Sequence, residues 1–373
     1  MSSSIRIRER KRDDDLRISQ KEIRFPNGLS FETPTKSFQA PYSARKYDTD
    51  KLLRLNINEV SKRFDNDTIE KLVYDNIAIR KTITRKYVDG AINLFIPHLR
   101  LYNKLDNKDI RILSNFIYSV SKSVVVIPTV DFSFFKEWKD ENKTQKIYSK
   151  NNIKKYVDMV KEIMVEINSV GNGKSYMGMI PLMPLPYILN LLSIYQEEGI
   201  NSFIIDAGTR DILSASLFEY RMILSEINKN VIELHDSFIY AANLGYGLFE
   251  KKWTIADDFL SFYAGVDAFG GTFKSRGFQP DPQKPYTPRA KIFSKEEYIY
   301  NMSSYKQAEE VLNIKNLNRI KLRSYNENEQ INETLNLKQK IGEENMMEYL
   351  YHKDRLQEDR LKLDRLRTFA SQI

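Results

Sequence analysis

Between residues 91 and 267, apolar runs of strand length alternate with longer stretches whose apolar side chains recur at helical spacing. The runs Ala91–Ile96, Ser123–Val130, Tyr176–Leu182, Ser202–Asp206, Phe238–Asn243 and Phe262–Asp267 read as strands. The segments 107–120, 153–167, 186–198, 212–228 and 254–260 read as helices between them. That alternation is the pattern of successive strand–helix units around a parallel sheet. Upstream, Pro26, Pro34 and Pro41 favour extended chain with one short strand at Ser37–Ala40, and residues 49–87 carry a helical pattern. With a further strand at Ala290–Phe293, the number of strands approaches the eight that close a (β/α)8 barrel. No GxGxxG follows the first strand, which weighs against an open dinucleotide-binding sheet.

The expected architecture is therefore α/β. A TIM-like barrel spans residues 37–293, an N-terminal basic arm and extended segment spans 1–36, and a C-terminal helical extension spans 294–373. The extension has no proline and a single glycine, Gly342, so it can run almost continuously as helix. Its acids and bases are nearly balanced and Leu356, Leu363 and Leu366 form a short stripe. Both features suit packing, oligomerisation or a protein partner better than a grip on nucleic acid.

Composition narrows the chemistry. The 373 residues contain no cysteine, which removes disulfides, thiolate metal sites and cysteine nucleophiles. The three histidines, His98, His235 and His352, lack the paired spacing of a zinc site, so zinc is not expected; no cofactor is called for, and a carboxylate-held magnesium stays open. The start, MSSSIRIRERKRDDD, has charges but no apolar core behind them, and no apolar run approaches a membrane span. A cytoplasmic protein with no membrane partner is the expectation. The net charge of +8 turns attention to anionic partners, nucleic acid among them.

NSVGNGKS at residues 168–175 ends like a phosphate-binding loop. It lacks the first glycine of that motif and has a helix before it and a strand after it, the reverse of what the motif needs, so it reads as a turn. In a parallel barrel the reactive groups gather where strands end. By that rule Asp131, Asp206 and Asp267 are the candidate catalytic carboxylates, with Arg210 and Asn243 as substrate-binding groups beside them. From residue 271 to 291, Lys274, Arg276, Lys284, Arg289 and Lys291 face a single acid, Asp281, with aromatics between them, a composition suited to phosphate neutralisation and base stacking.

The run Gly265-Val266-Asp267-Ala268-Phe269 resembles the late-strand segment of tRNA-guanine transglycosylases. There a Gly-(Val/Ile)-Asp-hydrophobic-Phe sequence is followed by the nucleophilic aspartate and then by a basic, RNA-contacting stretch. The resemblance implies a TIM barrel acting on a base in tRNA or DNA, with Phe269 and Gly270 beside the substrate. This chain departs from the pattern in two places: Gly270 stands where the nucleophile would be, and the family's cysteine-bound zinc has no ligands here. On that reading another carboxylate, Asp206 or Asp267, takes the nucleophile's place, or base exchange is lost and binding kept. Two other readings stand beside it: a non-catalytic barrel scaffold that binds a partner through its C-terminal helices, and a barrel enzyme on a small anionic substrate.

Overall fold

The computed structural model describes residues 4–39, 56–101, 105–138, 146–171, 173–208, 217–244, 252–271, 289–357 and 360–372. Instead of a basic arm, the N-terminus forms three antiparallel strands, β1 (Arg6–Arg12), β2 (Ser19–Arg24) and β3 (Ser30–Glu32). Charge density alone suggests a solvated tail, but Ile5, Leu16, Ile18, Ile23, Phe25 and Phe31 are spaced to bury against the main core, and they do. The arginines Arg6, Arg8, Arg10 and Arg12 alternate onto the exposed side of β1, as the two-residue period of a strand requires.

β4 (Thr35–Lys36) lies just before the strand expected at Ser37–Ala40, of which Phe38 makes only an isolated bridge. Residues 57–65, read as helix from sequence, are the strand β5 (Ile57–Asp65). Ile57, Val60 and Phe64 are buried, and β5 pairs in parallel along its whole length with β6 (Ile92–Arg100). The strand stops where the Asp65 carboxylate accepts from the Thr68 amide at 2.8 Å and caps the helix Asn66–Thr84.

The next predicted strand is present as two pieces, β7 (Val124–Val126) and β8 (Thr129–Val130), separated at Pro128, which has no amide to give to a ladder. Two short strands, β9 (Lys136–Trp138) and β10 (Lys146–Tyr148), make an antiparallel ladder of their own. β11 (Ser175–Pro181), β12 (Ser202–Asp206) and β13 (Phe238–Ala242) lie within a residue of their expected bounds. All three are buried throughout, as strands covered on both faces must be.

The largest sheet is parallel, six-stranded and ordered β4-β15-β13-β12-β11-β7, where β15 is Ala268–Phe269. A second parallel sheet is ordered β5-β6-β8. They meet twice. Phe38, just beyond β4, bridges in parallel to Asn58 of β5, with Phe38 N donating to Ile57 O at 2.9 Å and Glu59 N to Phe38 O at 2.7 Å. On the other side β7 pairs with β11 while β8, three residues on, pairs with β6.

Two further expectations differ. The run Phe262–Asp267 is not a strand: residues 261–264 form a helical turn closed by Gly265 at φ 87°, and the strand begins only at Ala268. The segment near Ala290 is not a member of the parallel sheet. It is β16 (Arg289–Ser294), antiparallel to β17 (Ile299–Ser304), which also pairs with β14 (Trp253–Ile255). The C-terminal extension is thus helical only after this hairpin, with helices Tyr305–Leu312, Arg319–Lys340, Met346–Tyr351 and Arg360–Ser371.

Leu356, Leu363 and Leu366, the stripe that suggested a partner surface, are fully buried within the chain's own core, and Phe369 stacks on Tyr220 with ring centroids 5.9 Å apart. The stripe is therefore spent on folding, which removes the sequence argument for a partner or a second copy docking there. No described helix is long and apolar enough to cross a membrane.

Candidate carboxylate site and basic cleft

The faces of the parallel sheet are set by alternation. Gly178 of β11 lies under the ring of Tyr195, where a Cβ would come within 2.6 Å of it, so Gly178 faces the helix layer. Pro181 therefore faces the other way. Its register partner Asp206 and, one strand on, Ala242 share that side, as does Tyr240 two residues earlier.

Asp206 ends β12 and is buried. Three donors converge on its carboxylate: Thr129 Oγ1 at 3.0 Å, the Gly208 amide at 3.0 Å and Asn243 Nδ2 at 3.1 Å. Asn243 takes the left-handed conformation, φ 57°, that turns its amide back from the end of β13; asparagine tolerates this better than most residues. Asp206 and Asn243 are thus brought together as the strand-end rule expects. His98, the register partner of Thr129, is buried on the same face. Asp131 follows β8 at the same end of the strands and is half-buried.

Asp267 is elsewhere. Its carboxylate accepts from the Ile239 amide at 2.8 Å, at the start of β13, and pairs with Lys21 Nζ at 3.0 Å; Lys21 also donates to the carbonyls of Leu234 and Ser237. Asp206 lies level with Ala242, the other end of that strand, about 10 Å away at the ~3.3 Å rise per residue of a strand. The expected meeting of Asp206 and Asp267 at one mouth does not occur. The displaced strand start explains it: Asp267 precedes β15 instead of ending it. Burial pushes its carboxyl pKa up, and Lys21 opposes that rise. Phe269 also faces away from Asp206, into the helix layer, with Phe259 and Phe262 at centroid distances of 5.4 and 4.9 Å. Arg210, Lys274, Arg276 and Lys284 lie outside the described residues.

The second carboxylate on the inner face is one the sequence did not single out. Glu59 of β5 is buried; it accepts from Tyr240 Oη at 2.5 Å and from Gln39 Nε2 at 2.6 Å, and Tyr240 Oη is also 2.8 Å from Ser37 Oγ. Desolvation raises its pKa to about 7; hydrogen bonds from Tyr240 and Gln39 and the charge of Lys36 oppose the rise, and the Asp206 charge adds to it. Gly270 completes the arrangement. A Cβ there would overlap both Glu59 Oε2 and Tyr240 Oη, so the Glu59 carboxylate fills the space of a side chain at position 270.

No family model and no curated protein matches the chain. The arrangement must therefore be judged on its chemistry. Two buried carboxyl groups lie on the inner face of one parallel sheet system. One is clasped by three donors and the other holds a proton near neutrality, a division suited to acid–base or covalent work. Among the described residues, no group of three or more histidine and carboxylate side chains is arranged to hold a metal ion.

Beside Gln39 a cleft of about 440 Å³ opens between the end of β4, β16 and the helix Arg319–Lys340. Arg289 and Lys291 line it, together with Lys36, Arg319 and Arg323. Lys291 Nζ lies 3.5 Å from the centroid of the Tyr300 ring. Only two of these five cations fell within the segment marked as basic in the sequence. The others come from positions remote in the chain that the fold draws together.

Proposed function

We propose that the protein is a transglycosylase-like (β/α)8 barrel that binds nucleic acid and exchanges or modifies one of its bases at Asp206 and Glu59. The barrel is supported by the strand pairings. Taken in the order β4, β5, β6, β7 with β8, β11, β12, β13 and β15, the parallel strands run in chain order with each neighbouring the next, and β15 returns to β4. The observation that carries the function is the carboxylate at the 270 position. The resembled family carries a catalytic carboxylate there, and here Glu59 brings a carboxyl group beside Gly270 from a strand about two hundred residues upstream, in the acid's role, while the nucleophile's role passes to Asp206.

In this reading Asp206, held as an acceptor by Thr129, Gly208 and Asn243, attacks or stabilises the anomeric carbon as the glycosidic C–N bond breaks, and Glu59 gives its proton to the departing base. For exchange, an incoming base loses a proton to Glu59, bonds to the anomeric carbon and releases Asp206. Arg289 and Lys291 neutralise phosphates of the strand.

The test is release of a labelled base from tRNA and from DNA. Asp206→Asn and Glu59→Gln, each verified as folded by circular dichroism, should lower turnover at least a hundredfold, the scale on which a positioned acid or base contributes. Full turnover in both folded variants, or the absence of salt-sensitive binding to either polymer by the wild type, would overturn the reading.

A further inference from the structure

We infer that the cleft between β4, β16 and the helix Arg319–Lys340 is a phosphate-ester site, holding a phosphodiester of the strand whose base lies at Glu59. The inference rests on the nucleic-acid reading above for the identity of the strand, but not for the chemistry of the cleft. Cations from three separated parts of the chain, Lys36, Arg289 and Lys291, and Arg319 and Arg323, line one space whose carboxylate, Glu327, is already engaged by Arg323 Nε at 2.8 Å. Glu327, Asp258 and Glu59 act on Lys36, yet five cations line the space against one lining carboxylate, an arrangement suited to an anionic ligand.

The anion's class follows from the donors and the size. Guanidinium forks match phosphate oxygens two at a time, and a cleft of about 440 Å³ holds far more than a bare ion. Tyr305 supplies a ring on which a sugar or base can lie. Position ties the cleft to the carboxylates. Gln39 lines it and donates to Glu59 at 2.6 Å, while Arg323 donates to the Gln39 carbonyl, so a phosphate held there is one side chain removed from the buried pair. Burial lowers the pKa of the Lys36 ammonium, and a nearby anion would restore it.

The test uses the full chain, labelled single-stranded RNA and DNA oligonucleotides read by fluorescence anisotropy, and inorganic pyrophosphate read by calorimetry. The double variant Arg289→Ala/Arg319→Ala changes two exposed cleft residues and should melt like the wild type. It should weaken oligonucleotide binding at least tenfold at low salt. It should also flatten the plot of log affinity against log salt by about 1.4, at ~0.7 for each single-strand phosphate that is no longer neutralised. Pyrophosphate should displace the oligonucleotide from the wild type and fail to bind the variant. Oligonucleotide binding with an unchanged slope in the variant would overturn the cleft assignment and leave the nucleic-acid reading standing. Pyrophosphate binding that the variant abolishes, with no oligonucleotide bound by the wild type, would keep the cleft as a site for a free phosphate ester and overturn the nucleic-acid reading. Binding of neither ligand would overturn both.

Discussion

Glu59 offers the most direct physical test, because burial acts on it in a way that pH exposes. In the unfolded chain its carboxyl titrates at an ordinary 4.5; in the fold, desolvation raises it to about 7, against hydrogen bonds from Tyr240 and Gln39. Below the lower value the group is protonated in both states and contributes nothing to pH dependence. Between the two values the folded state holds a proton the unfolded state has lost, so stability falls as pH rises, and above about 7 the loss is complete. At ~1.4 kcal/mol per pH unit, the rise costs about 3 kcal/mol at pH 8. Glu59→Gln keeps the shape and a hydrogen-bonding carbonyl but cannot ionise. Measured by urea unfolding at several pH values, the stability of the variant relative to wild type should climb by about 3 kcal/mol between pH 4.5 and about 7 to 8 and stay level above that. A difference that stays flat with pH, or that favours the wild type more as pH rises, would refute the assignment of Glu59 as a buried proton holder and with it the acid role proposed above.

Two other perturbations probe the frame that holds this group. Lys21→Met leaves the Asp267 carboxylate buried without its cation, and chemical denaturation should show a loss of about 3–5 kcal/mol, much of it recovered by adding Asp267→Asn; an effect under about 1 kcal/mol would mean the pair is not a structural tie. Gly270→Ala puts a methyl on the Glu59 carboxylate and the Tyr240 hydroxyl and should cost about 1–3 kcal/mol as an overpacking change, yet cost less in a Glu59→Ala background, where the closer of the two overlaps is gone and the Tyr240 hydroxyl loses its Glu59 partner and can turn aside; equal costs in the two backgrounds, read as a double-mutant cycle, would show that Glu59 does not crowd that position.

The parts of the fold legible in the sequence were those where local pattern and tertiary burial agree. β11, β12 and β13 are uninterrupted apolar runs bounded by polar or turn residues, and such a run is both a strand signal and what a doubly covered parallel strand needs. β5 broke that agreement. Its sequence, INEVSKRFD, mixes buried, half-exposed and exposed residues because its end leaves the covered region, and its apolar positions fit a helical repeat as readily as a strand. The helix Asn66–Thr84 follows at once and extends the same spacing, so nothing local marks the boundary except the Asp65 cap. At Phe262–Asp267 the error ran the other way: an aromatic-rich apolar segment packs equally well as a helical turn, and Gly265 in the left-handed conformation decides between them.

The error at β5 also hid the site. A glutamate in a presumed surface helix has no claim to attention, whereas the same glutamate on the inner face of a parallel strand is a buried carboxylate that must be accounted for. Once β5 is a strand, its register with Phe38 and the alternation of side chains send Glu59 toward Tyr240 and Gly270, a meeting of β5, β13 and the residue just past β15 that no spacing rule connects. Asp267 shows the converse. Its motif drew notice, but a small difference in where the strand begins puts it at the far end, paired with a lysine from a segment read as a tail. A carboxylate's role in such a fold is therefore fixed by strand register more than by its sequence neighbours, and Gly270, which admits the Glu59 carboxylate by lacking a side chain, is the position where that register becomes chemistry.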